Sequence, residues 1–148
     1  MSTTLNQDVA QIRGVLQAFT DALHRRDAAA AVAVYADDAV AYDLAPPLSL
    51  DGARLRDPAD IQSWFDTWKS PIESTAKELT IRVGGDIAYA FALQHMVGTK
   101  TDGFEVDLWF RATACFVRRD GQWKIAHVHN SVPFAMDGSN RALLDLQP

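Results

Sequence analysis

A single cysteine, Cys115, is present in 148 residues, so no intrachain disulfide can form. One free thiol in a short acidic chain fits a reducing compartment, and cytoplasmic residence is the expectation. Basic residues are scarce too. Fourteen Lys and Arg stand against 19 Asp and Glu, a net charge of −5 with His neutral. Without a dense cationic surface, neither nucleic acid nor an anionic membrane is expected as a partner. No uncharged apolar run is long enough to cross a bilayer, and residues 1–8 have neither the basic stretch nor the apolar core of an export leader. Internal repeats, low-complexity tracts and a recognisable linker are all missing, which points to one domain over 1–148. A chain of this length buries about 70% of its unfolded surface and needs no structural metal. A small-molecule ligand or a protein remains as partner.

What is present divides into a helical start and an extended end. Leu5, Val9, Ile12, Leu16, Phe19 and Leu23 recur every three or four residues, the period of one buried helical stripe. This helix should end near Arg25 and Arg26, and Asp27 then caps a second, Ala-rich helix over 28–35. Residues 40–44 read as a short strand, followed by a loop of about a dozen residues marked by Pro46, Pro47, Asp51 and Gly52. Asp57 and Pro58 start a third helix with Ile61, Trp64, Phe65 and Trp68 on one stripe. From Leu79 the period changes to two, and turns at 84–86, 101–103 and 120–121 separate four antiparallel strands. The run 104–119 exceeds the usual strand length of about 3 to 10 residues, so a bend or bulge is expected in it. Helices first and a meander last make an α+β fold, in which helices cover one face of a curved sheet and leave a concave interior for a ligand.

Strand alternation sorts the polar candidates. Glu105, Asp107, Trp109, Arg111 and Thr113 share one face; Val106, Leu108, Phe110, Ala112 and Ala114 share the other. The apolar row suits packing against helices or a second subunit, and a homodimer is expected to form through it. An acid, an indole and a guanidinium in one row suit a polar pocket, although Asp107 and Arg111 also read as a solvated pair. On the last strand His127, His129 and Ser131 share a face, and two imidazoles there can act as base, acid or hydrogen-bond donor near neutral pH. Either also reads as a satisfied core histidine. His-x-His can bind metal, but no further ligand spacing accompanies it, so no metal is assigned. Asp43, before the Pro-rich loop, can reach a cavity from its rim or serve the turn. Trp64 and Trp68 read first as core and second as ligand-stacking residues, and His95, in the middle of its strand, is a weaker binding candidate.

The order of elements, with Tyr35-Ala36-Asp37-Asp38-Ala39-Val40, Tyr42-Asp43-Leu44-Ala45-Pro46-Pro47-Leu48, Asp107-Leu108-Trp109-Phe110-Arg111 and the segment from Trp123 to Phe134, resembles the nuclear transport factor 2-like superfamily. Nearest within it are SnoaL-like proteins and ketosteroid isomerase homologues. The resemblance implies a cone-shaped fold, three N-terminal helices on a curved, mainly antiparallel sheet enclosing a pocket. It also implies that Asp43 stands where ketosteroid isomerases keep their proton-shuttling base. The oxyanion hole of those isomerases does not carry over. The position of its tyrosine falls on Phe19 and that of its acid near Thr113 or Cys115, and each lost donor costs about 10² to 10³ in rate, so steroid isomerisation itself is not expected. SnoaL-like cyclases pair an acid with histidine in an apolar cavity, whereas the similar association domain of calcium/calmodulin-dependent kinase only assembles subunits, so the fold leaves both classes open.

Two hypotheses follow. In the first, the chain is a cofactor-independent isomerase, cyclase or lyase acting on an enolisable carbonyl or carboxylate compound. Asp43, His127 or His129 takes the proton, Arg111 beside Asp107 holds an anionic group, and Tyr42, Trp109 and Ser131 line the cavity with Trp64, Trp68 and His95. In the second, the same pocket belongs to a ligand-binding or assembly module without catalysis. Convergence of Asp43 and the histidines on one point separates them.

Overall fold

The computed structural model describes residues 3–148; Met1 and Ser2, part of the N-terminal segment considered above, lie outside the described residues. The predicted apolar stripe forms helix α1, Thr3–Arg25, with Ile12 and Leu23 buried on it. Arg26 ends the helix in the left-handed region (φ 55°), and the Asp27 side chain accepts the N–H of Ala30 to start α2, Ala28–Val32. α2 is three residues shorter than the Ala run suggests. Tyr35 is taken instead by strand β1, Tyr35–Tyr42, which begins five residues before the expected start because Val34 and Tyr35 pair with Ile125.

The expected loop contains a single helical turn, α3, Gly52–Leu55, capped by Asp51. Gly52 is required there, since a Cβ would lie 2.1 Å from the carbonyl oxygen of Asp37 on β1. Helix α4, Pro58–Phe65, opens on Asp57 as read from the sequence. Strands β2, Glu73–Gly84, β3, Ile87–Thr99, β4, Glu105–Arg119, and β5, Gln122–Ser131, complete one five-stranded sheet in the order β1-β5-β4-β3-β2. All neighbours are antiparallel except β1 and β5, which are parallel. This is the α+β fold expected from the resemblance, with α3 as an extra turn.

Helices cover one face of the sheet only. Ile12 of α1 clusters with Ile81, Ala88, Ala90, Ala114, Phe116, Trp123 and Ile125. A second cluster joins Ala22, Leu23, Phe65, Trp68 and Ile72, with Met96 and Val106 packed on it. By strand alternation the row from Val106 to Ala114 therefore faces the helices. Of the row expected to carry a homodimer, Val106 and Ala114 are taken up by these clusters, while Leu108, Phe110 and Ala112 are half-buried on the same side. The large apolar side chains left wet on the opposite, open face include Ile87, Tyr89 and Phe91 of β3, 64%, 46% and 46% exposed.

The expected bulge occurs, but its extra residue sits on β5. Cys115 pairs with His127 and Phe116 with Ile125, which leaves Ala126 unmatched. The added residue shifts the alternation by one, so Trp123 and Ile125 enter the core while His127, His129 and Ser131 all turn to the open face.

One buried polar group ties α1 to the sheet. Asp8 is 7% exposed, and its Oδ1 accepts Nη1 of Arg118 at 2.5 Å and Nε1 of Trp123 at 3.3 Å. Arg118 Nε donates to the exposed Asp86 at 2.9 Å. Removing the buried acceptor leaves the Trp123 indole N–H without its partner and deprives Arg118 of its buried one, with Asp86 and the Gly85 carbonyl remaining to the guanidinium. Asp8→Ala should therefore cost about 2–3 kcal/mol in urea denaturation, whereas Asp86→Ala should cost under about 1 kcal/mol.

Candidate functional site

β1 ends at the sheet edge, where two short backbone bonds between Ala41 and Leu50, both 2.9 Å, close the loop that follows. Under this loop is an open hollow of about 670 Å³ lined by Tyr42, Asp43, the segment 44–49 and His129. Asp43 stands at its rim. Its Oδ1 accepts the Leu44 N–H at 2.7 Å and Nδ2 of Asn130 at 3.2 Å. Both bonds fall on one oxygen, which leaves Oδ2 as the atom free to take a proton.

On the open face Tyr42 meets both histidines edge to face, with centroids 4.8 Å from His127 and 5.5 Å from His129. Nδ1 of His127 lies 2.7 Å from the carbonyl oxygen of Val40. A carbonyl can only accept, so the N–H sits on Nδ1 and Nε2 keeps the lone pair of the neutral ring. Further along this face Arg111 Nε donates to Ser131 Oγ at 3.1 Å. His95 Nε2 lies 2.6 Å from Asp107 Oδ1, and the His95 ring stacks on Trp109 with centroids 4.3 Å apart and planes 2° from parallel.

Tyr42, His95, Asp107, Trp109, Arg111, His127, His129 and Ser131 are thus on one face, as strand period predicts. That face is not the covered one. The expected enclosed interior lies on the other side, where α1 and α4 pack, and it is lined by the apolar rows. Of the open-face group, only Tyr42 and His129 share the hollow with Asp43, and His127 stands behind the Tyr42 ring. Asp107 pairs with His95 and not with Arg111. Trp64 and Trp68 belong to the helix-side core, 5.5 Å apart, with the Lys100 ammonium 4.0 Å from the Trp68 ring. Burial lowers the pKa of Lys100 more than the nearby Asp102 raises it. The Trp68 indole N–H is buried and has no hydrogen-bond partner among the described residues.

Two residues escaped the sequence reading. Asn130 is on the helix side of β5, opposite in phase to His129, and it holds Asp43. Tyr35 sits beside Phe19, centroids 6.3 Å apart, in the covered core. Burial pushes its phenol well above the ordinary value of 10.0, and the Asp43 carboxylate pushes it further. Alternation carried a signal for Asn130; Tyr35 was hidden by its assignment to the end of α2. Among the described residues no three His, Cys, Asp or Glu side chains gather as metal ligands would, and no helix is long and apolar enough to cross a membrane.

The SnoaL-like domain matches residues 12–135, and the chain belongs to that family. Among solved structures it is similar to an NTF2-like protein of unknown function from Pseudomonas putida KT2440, with 31% identity, 100% of this chain and 99% of that one covered, and a TM-score of 0.83. It shares its fold with a candidate scytalone dehydratase from Novosphingobium aromaticivorans, at 16% identity, 97% and 96% coverage and a TM-score of 0.78. It also shares it with a type 2 hexachlorocyclohexane dehydrochlorinase, at 15% identity, 89% and 95% coverage and a TM-score of 0.73. No curated protein matches the chain.

The raised Tyr35 pKa gives a pH dependence with a definite sign. In the folded state the phenol stays neutral above pH 10, whereas in the unfolded state it ionises there. Its contribution to stability is whole below pH 10 and is lost as pH rises toward the folded value. Melting temperature measured against pH should fall above about pH 10 for the wild type, and Tyr35→Phe should fall less steeply over the same range.

Proposed function

We propose that the hollow beside Asp43 binds a small organic molecule and that Asp43 Oδ2 abstracts a proton from a carbon next to a carbonyl, without a cofactor. The observation that supports this most directly is the carboxylate itself. Two donors fix Asp43 through Oδ1, its second oxygen is free, and His129 lines the same hollow. As the C–H bond breaks, its electron pair moves into the carbonyl and leaves an enolate. The enolate then takes a proton at another carbon, an isomerisation, or expels a group from the β-carbon, an elimination. His129 can supply the proton that either outcome requires. The names dehydratase and dehydrochlorinase, borne by two structural neighbours, both denote eliminations, and they weight the reading toward that branch.

A well-placed base contributes about 10² to 10⁴ in rate, so the substrate is an activated C–H compound. Enolisable ketones and β-substituted carbonyl compounds, incubated in deuterium oxide and followed by NMR, test this. Asp43→Asn should lower exchange or elimination by about 10² to 10⁴, and His129→Ala should slow elimination more than exchange. If no compound exchanges, or if Asp43→Asn matches the wild type, the hollow is a binding site and not a catalytic one.

A further inference from the structure

The open face of the sheet holds a guanidinium that the reaction above does not use. Arg25, Arg54, Arg56, Arg118 and Arg119 each lie against a carboxylate; Arg111, like Arg13, Arg26, Arg82 and Arg141, meets none among the described residues, but of these five it is the one on the open face beside His129 and Ser131. It is exposed, and among the described residues its one hydrogen bond runs from Nε to Ser131 Oγ at 3.1 Å. That bond fixes the plane of the fork and leaves both Nη groups free. The Ser131 oxygen, having accepted, still has its own O–H to donate. The nearest acid on the same strand face is Asp107, four residues and about 13 Å along β4, and it is taken by His95. Trp109 and Thr113 flank Arg111 on β4, while Leu93 and Ser131 oppose it across the strands. In a chain of net charge −5, a fork so placed has spare donors and, among the described residues, no carboxylate paired with it.

We infer that Arg111 and Ser131 form a carboxylate clasp, and that it anchors the ligand of the hollow. A planar carboxylate matches the two free Nη groups in bidentate fashion, with the Ser131 hydroxyl as an added donor. His129, which lines the hollow, is two residues before Ser131 on the same face of β5, about 7 Å away. A carboxylate seated on Arg111 therefore directs the rest of the molecule along the open face past His129 to the rim of the hollow, where Asp43 stands. The substrate class is an organic acid whose reacting C–H lies several bonds from its carboxylate. This rests on the assignment of the hollow as the ligand site, and binding is measured apart from turnover.

Calorimetric titration of the full chain with benzoate and with its neutral isostere benzamide tests the clasp. Benzoate should bind at least tenfold more tightly than benzamide. Arg111→Gln should weaken benzoate by roughly ten- to a hundredfold and erase the preference. Arg111→Lys, which keeps the charge without the fork, should recover only part of it. Benzoate binding is read apart from turnover, so a chain that binds benzoate through Arg111 yet exchanges no C–H proton marks failure of the proposed chemistry, and one that exchanges protons but does not prefer benzoate marks failure of the clasp. The clasp is overturned if the two probes bind alike, if benzoate does not bind, or if Arg111→Gln retains wild-type affinity. It is equally overturned if that variant changes only the mass seen by light scattering, which would assign Arg111 to a contact between copies of the chain.

Discussion

The arrangement depends on α1 lying against one face of the sheet and leaving the other bare. Ile12, Phe116, Trp123 and Ile125 meet in that contact, and it decides for every strand which alternate residues are dry. The unmatched Ala126 is what makes β5 compatible with it. Without the extra residue, Ile125 and His127 would share a face, and burying the indole and isoleucine would drag both imidazoles into the apolar core. Burying polar groups without partners costs several kcal/mol in sum. The bulge removes that conflict by sending Trp123 and Ile125 inward and the histidines outward.

The same contact explains how far the sequence could be read. The stripe of α1, the caps at Asp27 and Asp57 and the three strand turns are local signals, legible because each follows from a handful of neighbouring residues. Which side of β4 is covered is not local. Val106 to Ala114 and Glu105 to Thr113 offer the helices two continuous rows, and only the docking of α1, a hundred residues earlier, selects between them. The polar row was expected inside because clustered ionisable groups suit a pocket. Hydrophobic burial at about 25 cal/mol per Å² favours the apolar row instead. Tyr35 was lost for a related reason, since its local context continues a helix whereas its pairing with Ile125 makes it a strand.

Asp43 is where the two sides of the sheet meet. It follows directly on Tyr42, whose ring lies with the open-face histidines, and it is held by Asn130, which belongs to the covered side. Its charge also reaches the buried phenol of Tyr35. A carboxylate at the end of an edge strand can address both environments, which no residue in mid-strand can do, because mid-strand side chains are committed to one face. The single enclosed hollow expected from sequence becomes a rim, with acid and imidazole approaching from different sides of the same strand ends.

The groups that hold the fold and the groups around the rim are nearly disjoint. Ile12, Phe65, Ile72 and Phe116 are fully buried, and the Asp8–Arg118 pair sits at the far end of β4 from Arg111. Asp43, His129 and Arg111 are all exposed and make at most one or two hydrogen bonds each, so removing any of them forfeits little packing. Surface substitutions of this kind usually change stability by no more than about 0.5 kcal/mol. A large change in binding or rate on altering them therefore cannot be put down to unfolding. Chemistry, if the rim carries it, is carried by side chains that the fold could lose without noticing.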